Sequence, residues 1–165
     1  MTLTAWAVAG PERRSHVERV ATLVDQWAVT MKVPDGERRR WAKAVWLHDA
    51  LRDEAAADEL AHGPAAADRA ARDGETDRGV LDAVRYHSLG YAGWDEVGRM
   101  LYLGDFLEPG RTFDRESRAA LAQRVPAERD AVLTEVARLR IEWTVKSSWP
   151  LAPETVGFWN SLVRD

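Results

Sequence analysis

Apolar residues recur along most of the chain at intervals of three and four positions, which is the period of an amphipathic helix. After Pro11, for example, the apolar side of such a segment runs through Val20, Leu23 and Trp27. No alternation of period two extends over a useful length, and no internal repeat or low-complexity linker interrupts the chain. The pattern therefore predicts an all-α protein with a single domain over residues 1–165.

Prolines, glycines and capping residues give the limits of the predicted helices. Pro11 and Pro64 suit a first helical turn, and Pro126 is expected to separate two helices. We expect helices over residues 11–30, 35–53, 63–73, 77–87, 94–107, 113–124, 127–147 and 154–163, with a short helical piece over 54–61. In the last two helices the stripes predicted to face the core are Val132, Val136, Leu139 and Trp143, and then Val156, Trp159 and Val163.

Composition excludes several classes of protein. The formal net charge of −4 argues against general binding to nucleic acid. A membrane span is not expected, because no run of about 18 apolar residues occurs. Residues 1–10 lack the basic flank of a signal peptide, so a cytoplasmic location is expected. Since the chain has no cysteine, disulfides, thiolate metal sites and cysteine nucleophiles are excluded.

Six ionisable groups interrupt the apolar stripes. Three histidines lie on the apolar side of separate predicted helices, and the fourth stands at the entrance of one. An aspartate follows one of these histidines directly, and another lies in an apolar segment with no lysine or arginine in the preceding turn. The set comprises His16, His48, Asp49, His62, His87 and Asp105.

Burial of these groups costs free energy unless something compensates for it. A hydrogen-bonded core pair would explain any one of them, and His16 alone is most simply a core histidine. Six such groups directed at one interior are harder to satisfy by hydrogen bonds. They suit divalent cations with nitrogen and oxygen ligands, and they exceed the needs of one tetrahedral site.

The order of these six residues resembles that of the HD-domain metal-dependent phosphohydrolase superfamily. Several strings are similar to its bacterial YqeK-type subgroup, and they cover most of the chain. They are Leu47-His48-Asp49, His62-Gly63-Pro64, Arg85-Tyr86-His87, the run from Gly104 to Arg111, and the segment from Pro150 to Asn160.

The resemblance implies an HD-domain helical bundle around two divalent metal ions, with iron expected first and manganese, magnesium or zinc as alternatives. One metal would be held by His16, His48, Asp49 and Asp105, and the other by Asp49, His62 and His87. Asp49 would thus bridge the metals and orient the attacking water.

The resemblance also implies phosphate-binding roles for Arg52 and Arg111, with Arg52 neutralising charge during the reaction. Arg13, one helical turn before His16, is a further candidate. Each arginine has a simpler explanation: a helix-surface ion pair for Arg52, a pair with Glu108 or Asp114 for Arg111, and solvation for Arg13.

The sequence departs from the subgroup at three places. The subgroup usually has lysine at the position of Arg52 and commonly histidine at that of Ala152, and the interval between Asp53 and His62 is shorter than usual. The shorter interval leaves the size of the substrate open.

The activity implied by the resemblance is symmetrical hydrolysis of diadenosine tetraphosphate to two ADP. Two alternatives stay open: another HD-type nucleotidase or phosphodiesterase, and a non-catalytic metal-containing nucleotide-binding protein. The expected partner is a small nucleotide, with no nucleic acid and no membrane. Aromatic residues near the C-terminus would allow a homodimer.

Overall fold

The computed structural model describes residues 1–54 and 58–164. Within these ranges every regular element is a helix, which confirms the all-α prediction. The seven helices are α1 (Pro11–Thr30), α2 (Asp35–His48), α3 (His62–Arg72), α4 (Arg78–Tyr86), α5 (Glu96–Leu107), α6 (Arg115–Lys146) and α7 (Pro153–Val163). None of them combines the length and the apolar character that a membrane crossing requires.

Helix α5 forms the centre of the bundle. It contacts α1, α2, α4 and α6, and most of its residues are buried. Gly104 allows the close approach of α1, because a Cβ atom at this position would lie 2.5 Å from Cγ2 of Val24. The following residue, Asp105, is thereby brought beside the first turns of α1.

Helix α2 is shorter than predicted. It ends at His48, and Asp49 leaves the helical conformation with φ −108° and ψ 16°. The expected continuation to residue 53 is therefore wrong, and Arg52 lies in a turn instead of one helical turn above His48. Of the predicted helical piece over 54–61, residues 55–57 lie outside the described residues and 58–61 form no helix. His62 is the first residue of α3 and does not precede it.

Helix α6 consists of two helical segments joined by a kink, two residues after the break predicted at Pro126. Pro126 lies within it, and the kink occurs at Glu128, which has φ −135° and ψ 39°. A proline has no N–H group for the carbonyl four residues earlier. That carbonyl, of Ala122, instead accepts a hydrogen bond from Nε1 of Trp27 at 3.0 Å. The indole of α1 thus satisfies the group that the proline leaves without a helical partner.

The predicted apolar stripes fail at the C-terminal end. Trp143 is 56% exposed, and Val156 and Val163 are also exposed. The buried residue of α7 is Phe158, whose ring packs edge-on against Trp94 at 5.2 Å between centroids. Helix α7 thus meets the bundle through Phe158 and Trp159, so the prediction is wrong for Val156 and Val163 but not for Trp159.

Candidate metal centre

The six predicted ligand residues surround one buried space. Their side chains form three overlapping groups whose nitrogen and oxygen atoms lie within 4.8 Å of one another. Each histidine comes from a different segment: α1, the last residue of α2, the first residue of α3 and the residue after α4. All six residues are buried: His16, His48, Asp49, His62, His87 and Asp105.

Backbone carbonyls orient three of the imidazole rings. Nδ1 of His48 lies 2.6 Å from the carbonyl oxygen of Val45, and Nδ1 of His87 lies 2.7 Å from that of Val84. Nδ1 of His62 lies 3.0 Å from the carbonyl oxygen of Asp58. A carbonyl oxygen only accepts, so each Nδ1 carries the proton. Each Nε2 therefore presents a lone pair to the interior.

These lone pairs face one another without a donor between them. Nε2 of His62 lies 3.0 Å from Nε2 of His87, and both atoms lie within 3.4 Å of Oδ1 of Asp49. Nε2 of His48 is buried and has no hydrogen-bond partner within the described part of the chain. A buried group of acceptors of this kind is unfavourable unless a cation occupies the space between them.

The two oxygens of Asp49 face different histidines. Oδ1 lies 3.1 Å from Nε2 of His62 and 3.4 Å from that of His87. Oδ2 lies 3.6 Å from Nε2 of both His16 and His48. The carboxylate thus stands between two sets of donor atoms, as a bridging ligand would.

Both aspartates remain ionised in this interior. Burial alone would raise the pKa of Asp105, but the hydrogen bond with His16 and the charge of Arg111 hold it well below its ordinary value. Burial acts in the same direction on Asp49, where the surrounding histidines keep the pKa low. For His16 burial lowers the pKa, but the hydrogen bond to Asp105 and the nearby carboxylate of Glu108 outweigh it and raise the pKa to about 9.

A glycine allows His62 and His87 to meet. A Cβ atom on Gly63 would lie 2.8 Å from the carbonyl oxygen of Arg85 and 2.9 Å from that of Val84. The first turn of α3 can therefore touch the last turn of α4 only because residue 63 has no side chain. The string His62-Gly63 thus has a structural as well as a chemical role.

The three arginines that were predicted to bind phosphate have different environments in the structure. Arg13 donates from Nη1 to Oδ2 of Asp49 at 2.9 Å, so it lies at the centre and not on a solvated face. Arg111 donates to the carbonyl and to Oδ1 of Asp105 at 2.9 and 3.0 Å, and not to Glu108 or Asp114. Arg52 forms no side-chain hydrogen bond or ion pair with any residue in 1–54 or 58–164, so the predicted surface pair is absent there.

A comparison with solved structures identifies the fold. A predicted HD superfamily hydrolase involved in NAD metabolism, from Clostridium acetobutylicum, superimposes with a TM-score of 0.78 and is 21% identical in sequence. The match covers 93% of this chain and 90% of that one. The chain has the HD-domain fold.

No family model matches the chain. Its sequence is similar to those of two curated proteins. The symmetrical bis(5'-nucleosyl)-tetraphosphatase of Bacillus subtilis (strain 168) is 32% identical over 108 residues, or 64% of this chain and 56% of the relative. The enzyme of the same name from Halalkalibacterium halodurans is 28% identical over 112 residues, or 66% and 57%. The chain thus spans little more than half the length of these relatives. The resemblance indicated by the motifs is confirmed.

Two buried residues beside the HD-fold centre were not predicted as functional residues. Glu108 is fully buried and lies behind His16, where burial would raise its pKa, but His16 and Arg19 lower it to about 2. Arg118 is 2% exposed and donates to the backbone carbonyls of Phe106, at the end of α5, and of Phe113, in the segment before α6. Nothing in the sequence distinguishes Arg118 from the many arginines around it, whereas Glu108 lies inside a motif string.

Proposed function

We propose that the chain is a metal-dependent phosphohydrolase that splits diadenosine tetraphosphate symmetrically into two ADP. The observation that carries the metal dependence is the pair of Nε2 atoms of His62 and His87, 3.0 Å apart, with both Nδ1 atoms directed at carbonyls. The names of the two curated relatives support the substrate. Because the chain spans only part of their length, activity and substrate are transferred as hypotheses.

The donor atoms fit two divalent cations. Imidazole and carboxylate groups together suit iron, manganese and zinc, and iron is the first expectation. We assign one cation to His16, His48, Asp49 and Asp105, and the other to Asp49, His62 and His87. The opposite directions of Oδ1 and Oδ2 of Asp49 support this division.

The protein's own groups supply binding and orientation. Bound cations would act as Lewis acids and lower the pKa of a water molecule. Asp49 would orient that water, since its carboxylate is ionised and lies between the two donor sets. Arg13, Arg52 and Arg111 would bind phosphoryl oxygens with their forked donors, and Arg13 and Arg111 already stand beside the carboxylates of the centre.

The first test identifies metals and products together. Elemental analysis of the purified protein should find a transition metal, and incubation with diadenosine tetraphosphate should yield ADP as the only nucleotide product. Release of nucleoside and phosphate from a monophosphate would favour another HD-type hydrolase. Nucleotide binding without turnover under any added cation would favour the non-catalytic alternative.

Replacement of the bridging carboxylate tests the assignment of ligands. Asp49→Ala should lower the bound metal and reduce turnover by at least about a thousandfold, because it removes a ligand from both proposed sites and the group that orients the water. Asp130→Ala is the control, since that carboxylate is 85% exposed on α6. Wild-type turnover in Asp49→Ala would refute the mechanism.

Arg111 tests the phosphate-binding role. Arg111→Ala should raise KM for the tetraphosphate about tenfold or more, because a charge-assisted contact to the phosphates is lost. Arg115→Ala, an exposed change of the same kind at the start of α6, is the control. If both variants have the KM of the wild type, Arg111 does not bind the phosphates.

Four further expectations remain predictions. They are a single domain over residues 1–165, a homodimer, a cytoplasmic location and the absence of nucleic-acid binding. Light scattering of the purified protein tests the dimer, and cell fractionation tests the location.

A further inference from the structure

A buried carboxylate lies on the side of His16 that faces away from the metal centre. Oε1 of Glu108 is 3.7 Å from Nδ1 of His16, and it has no hydrogen-bond partner within residues 1–54 and 58–164. Among the residues that the structure describes, no backbone carbonyl orients this ring in the way that Val45 and Val84 orient His48 and His87. His16 is thus the histidine whose orientation depends on another side chain.

The other oxygen of Glu108 is held in place. Oε2 accepts a hydrogen bond from the backbone N–H of Gly110 at 3.1 Å and another from Nε of Arg19. The backbone carbonyl of the same residue accepts from Arg118. With Oε2 occupied by two donors, the orientation of the carboxylate is fixed and Oε1 is the atom that remains for His16.

We propose that Glu108 is a positioning residue that accepts the Nδ1 proton of His16 and so directs the lone pair of Nε2 toward a cation. The distance of 3.7 Å exceeds an ordinary hydrogen bond by less than about 1 Å, which a small rotation of the ring closes. A carboxylate that accepts from the far nitrogen of a ligating histidine fixes its tautomer and raises its basicity. The inference rests on the proposed cation site.

Glu108→Gln tests the proposal because the carboxamide has one oxygen that accepts hydrogen bonds and one NH₂ group that donates them. In Glu108→Gln the N–H of Gly110 and Nε of Arg19 still require an acceptor, so the amide oxygen must take the place of Oε2. The amide NH₂ then faces Nδ1 of His16 and donates to it. This moves the imidazole proton to Nε2, the atom that should bind the cation. Affinity for Mn²⁺ should fall by about 10–100-fold.

Two measurements decide the matter. Mn²⁺ binding is followed by electron paramagnetic resonance for the wild type, Glu108→Gln and the control Glu18→Gln, an exposed position on α1. Nitrogen NMR of the Zn²⁺-loaded wild type then shows which nitrogen of His16 carries the proton, and the chain has only four histidines to assign. We expect wild-type affinity in Glu18→Gln, weakened binding in Glu108→Gln, and the proton on Nδ1 in the wild type.

The outcomes separate this inference from the proposed function. If the wild type binds neither cation, the metal centre itself is refuted. If the wild type binds Mn²⁺ and Glu108→Gln binds it equally well, only the role of Glu108 is refuted. A proton on Nε2 of His16 in the Zn²⁺-loaded wild type would overturn the inference as well, and this result needs no variant to fold.

Discussion

A single methyl group at Gly63 should disturb the candidate metal centre without removing a ligand, although it would lie 3.3 Å from Nδ1 of His87. Gly63→Ala places a Cβ atom 2.8 and 2.9 Å from two backbone carbonyl oxygens of α4. These atoms belong to the backbone, so they cannot rotate away as the end of a flexible side chain could. The first turn of α3 must instead move away from α4 and carry His62 away from His87.

The size of the effect follows from these distances. Ordinary contact begins at about 3.4 Å, so the two helices must separate locally by about 0.5 Å. Overpacking of this kind costs about 1–3 kcal/mol, against a gain of about 0.5–1 kcal/mol from replacing a glycine within a helix. The net loss of free energy of unfolding, about 1 kcal/mol at the middle of these ranges, should lower Tm by about 2–5 °C. The displaced imidazole should reduce kcat/KM about tenfold or more.

Gly157 provides the matched control. It also lies within a helix, and a Cβ atom there would meet nothing within 4 Å. Gly157→Ala should therefore leave activity unchanged and keep or slightly raise Tm. Thermal unfolding followed by circular dichroism and steady-state kinetics on both variants give the comparison. If Gly63→Ala behaves like Gly157→Ala in both assays, the contact between α3 and α4 does not set the geometry of the centre.

Two further predictions concern stability. Phe158→Ala should lower the free energy of unfolding, measured by urea denaturation, by about 3–5 kcal/mol, because the ring is buried against Trp94 and Tyr102. Arg40→Gln should lower the free energy of unfolding by about 1–2 kcal/mol at neutral pH. The reason is that Arg40 donates to the carboxylate of Asp77, which caps α4, at 2.6 and 2.9 Å. Hydrogen bonding to Arg40 lowers the pKa of Asp77 from 3.8 to about 2, so the difference between wild type and variant should be complete above pH 3.8 and shrink as pH falls toward 2. A difference independent of pH would contradict this assignment.

The centre was largely predictable because helical period reports which residues share a face. His16 lies four residues before Val20, and both side chains are buried as the spacing requires. The same reasoning failed where a shared face is not covered by another element. Trp143 shares its stripe with the buried Val136 but lies beyond the part of α6 that packs on the bundle, and it is exposed. The period of apolar residues shows which side chains share a face of one helix, whereas their burial depends on whether another element covers that face.

Glu108 could not be predicted from period for a different reason. It follows the last residue of α5 in extended conformation, with φ −57° and ψ 140°, so no helical stripe includes it. Its burial arises from Arg19 on α1 and from the N–H of Gly110, which are brought to it only by the fold. The motif string contains the residue but does not indicate that its carboxylate faces a histidine.

Helix ends explain why two histidines of this centre, His48 and His87, point inward. The last carbonyls of a helix lack an intrahelical partner. His48 ends α2 and His87 follows α4, and each directs Nδ1 to the carbonyl three residues before it. The imidazole thus satisfies an orphan carbonyl of its own helix and, by the same contact, turns Nε2 away from that helix. His16 lies in the second turn of α1, where carbonyls are already paired, and it therefore needs an acceptor from elsewhere in the fold. The position of a histidine within its helix thus decides whether a carbonyl of the same helix can orient it, and the ring of His16 instead lies beside the carboxylate of Glu108.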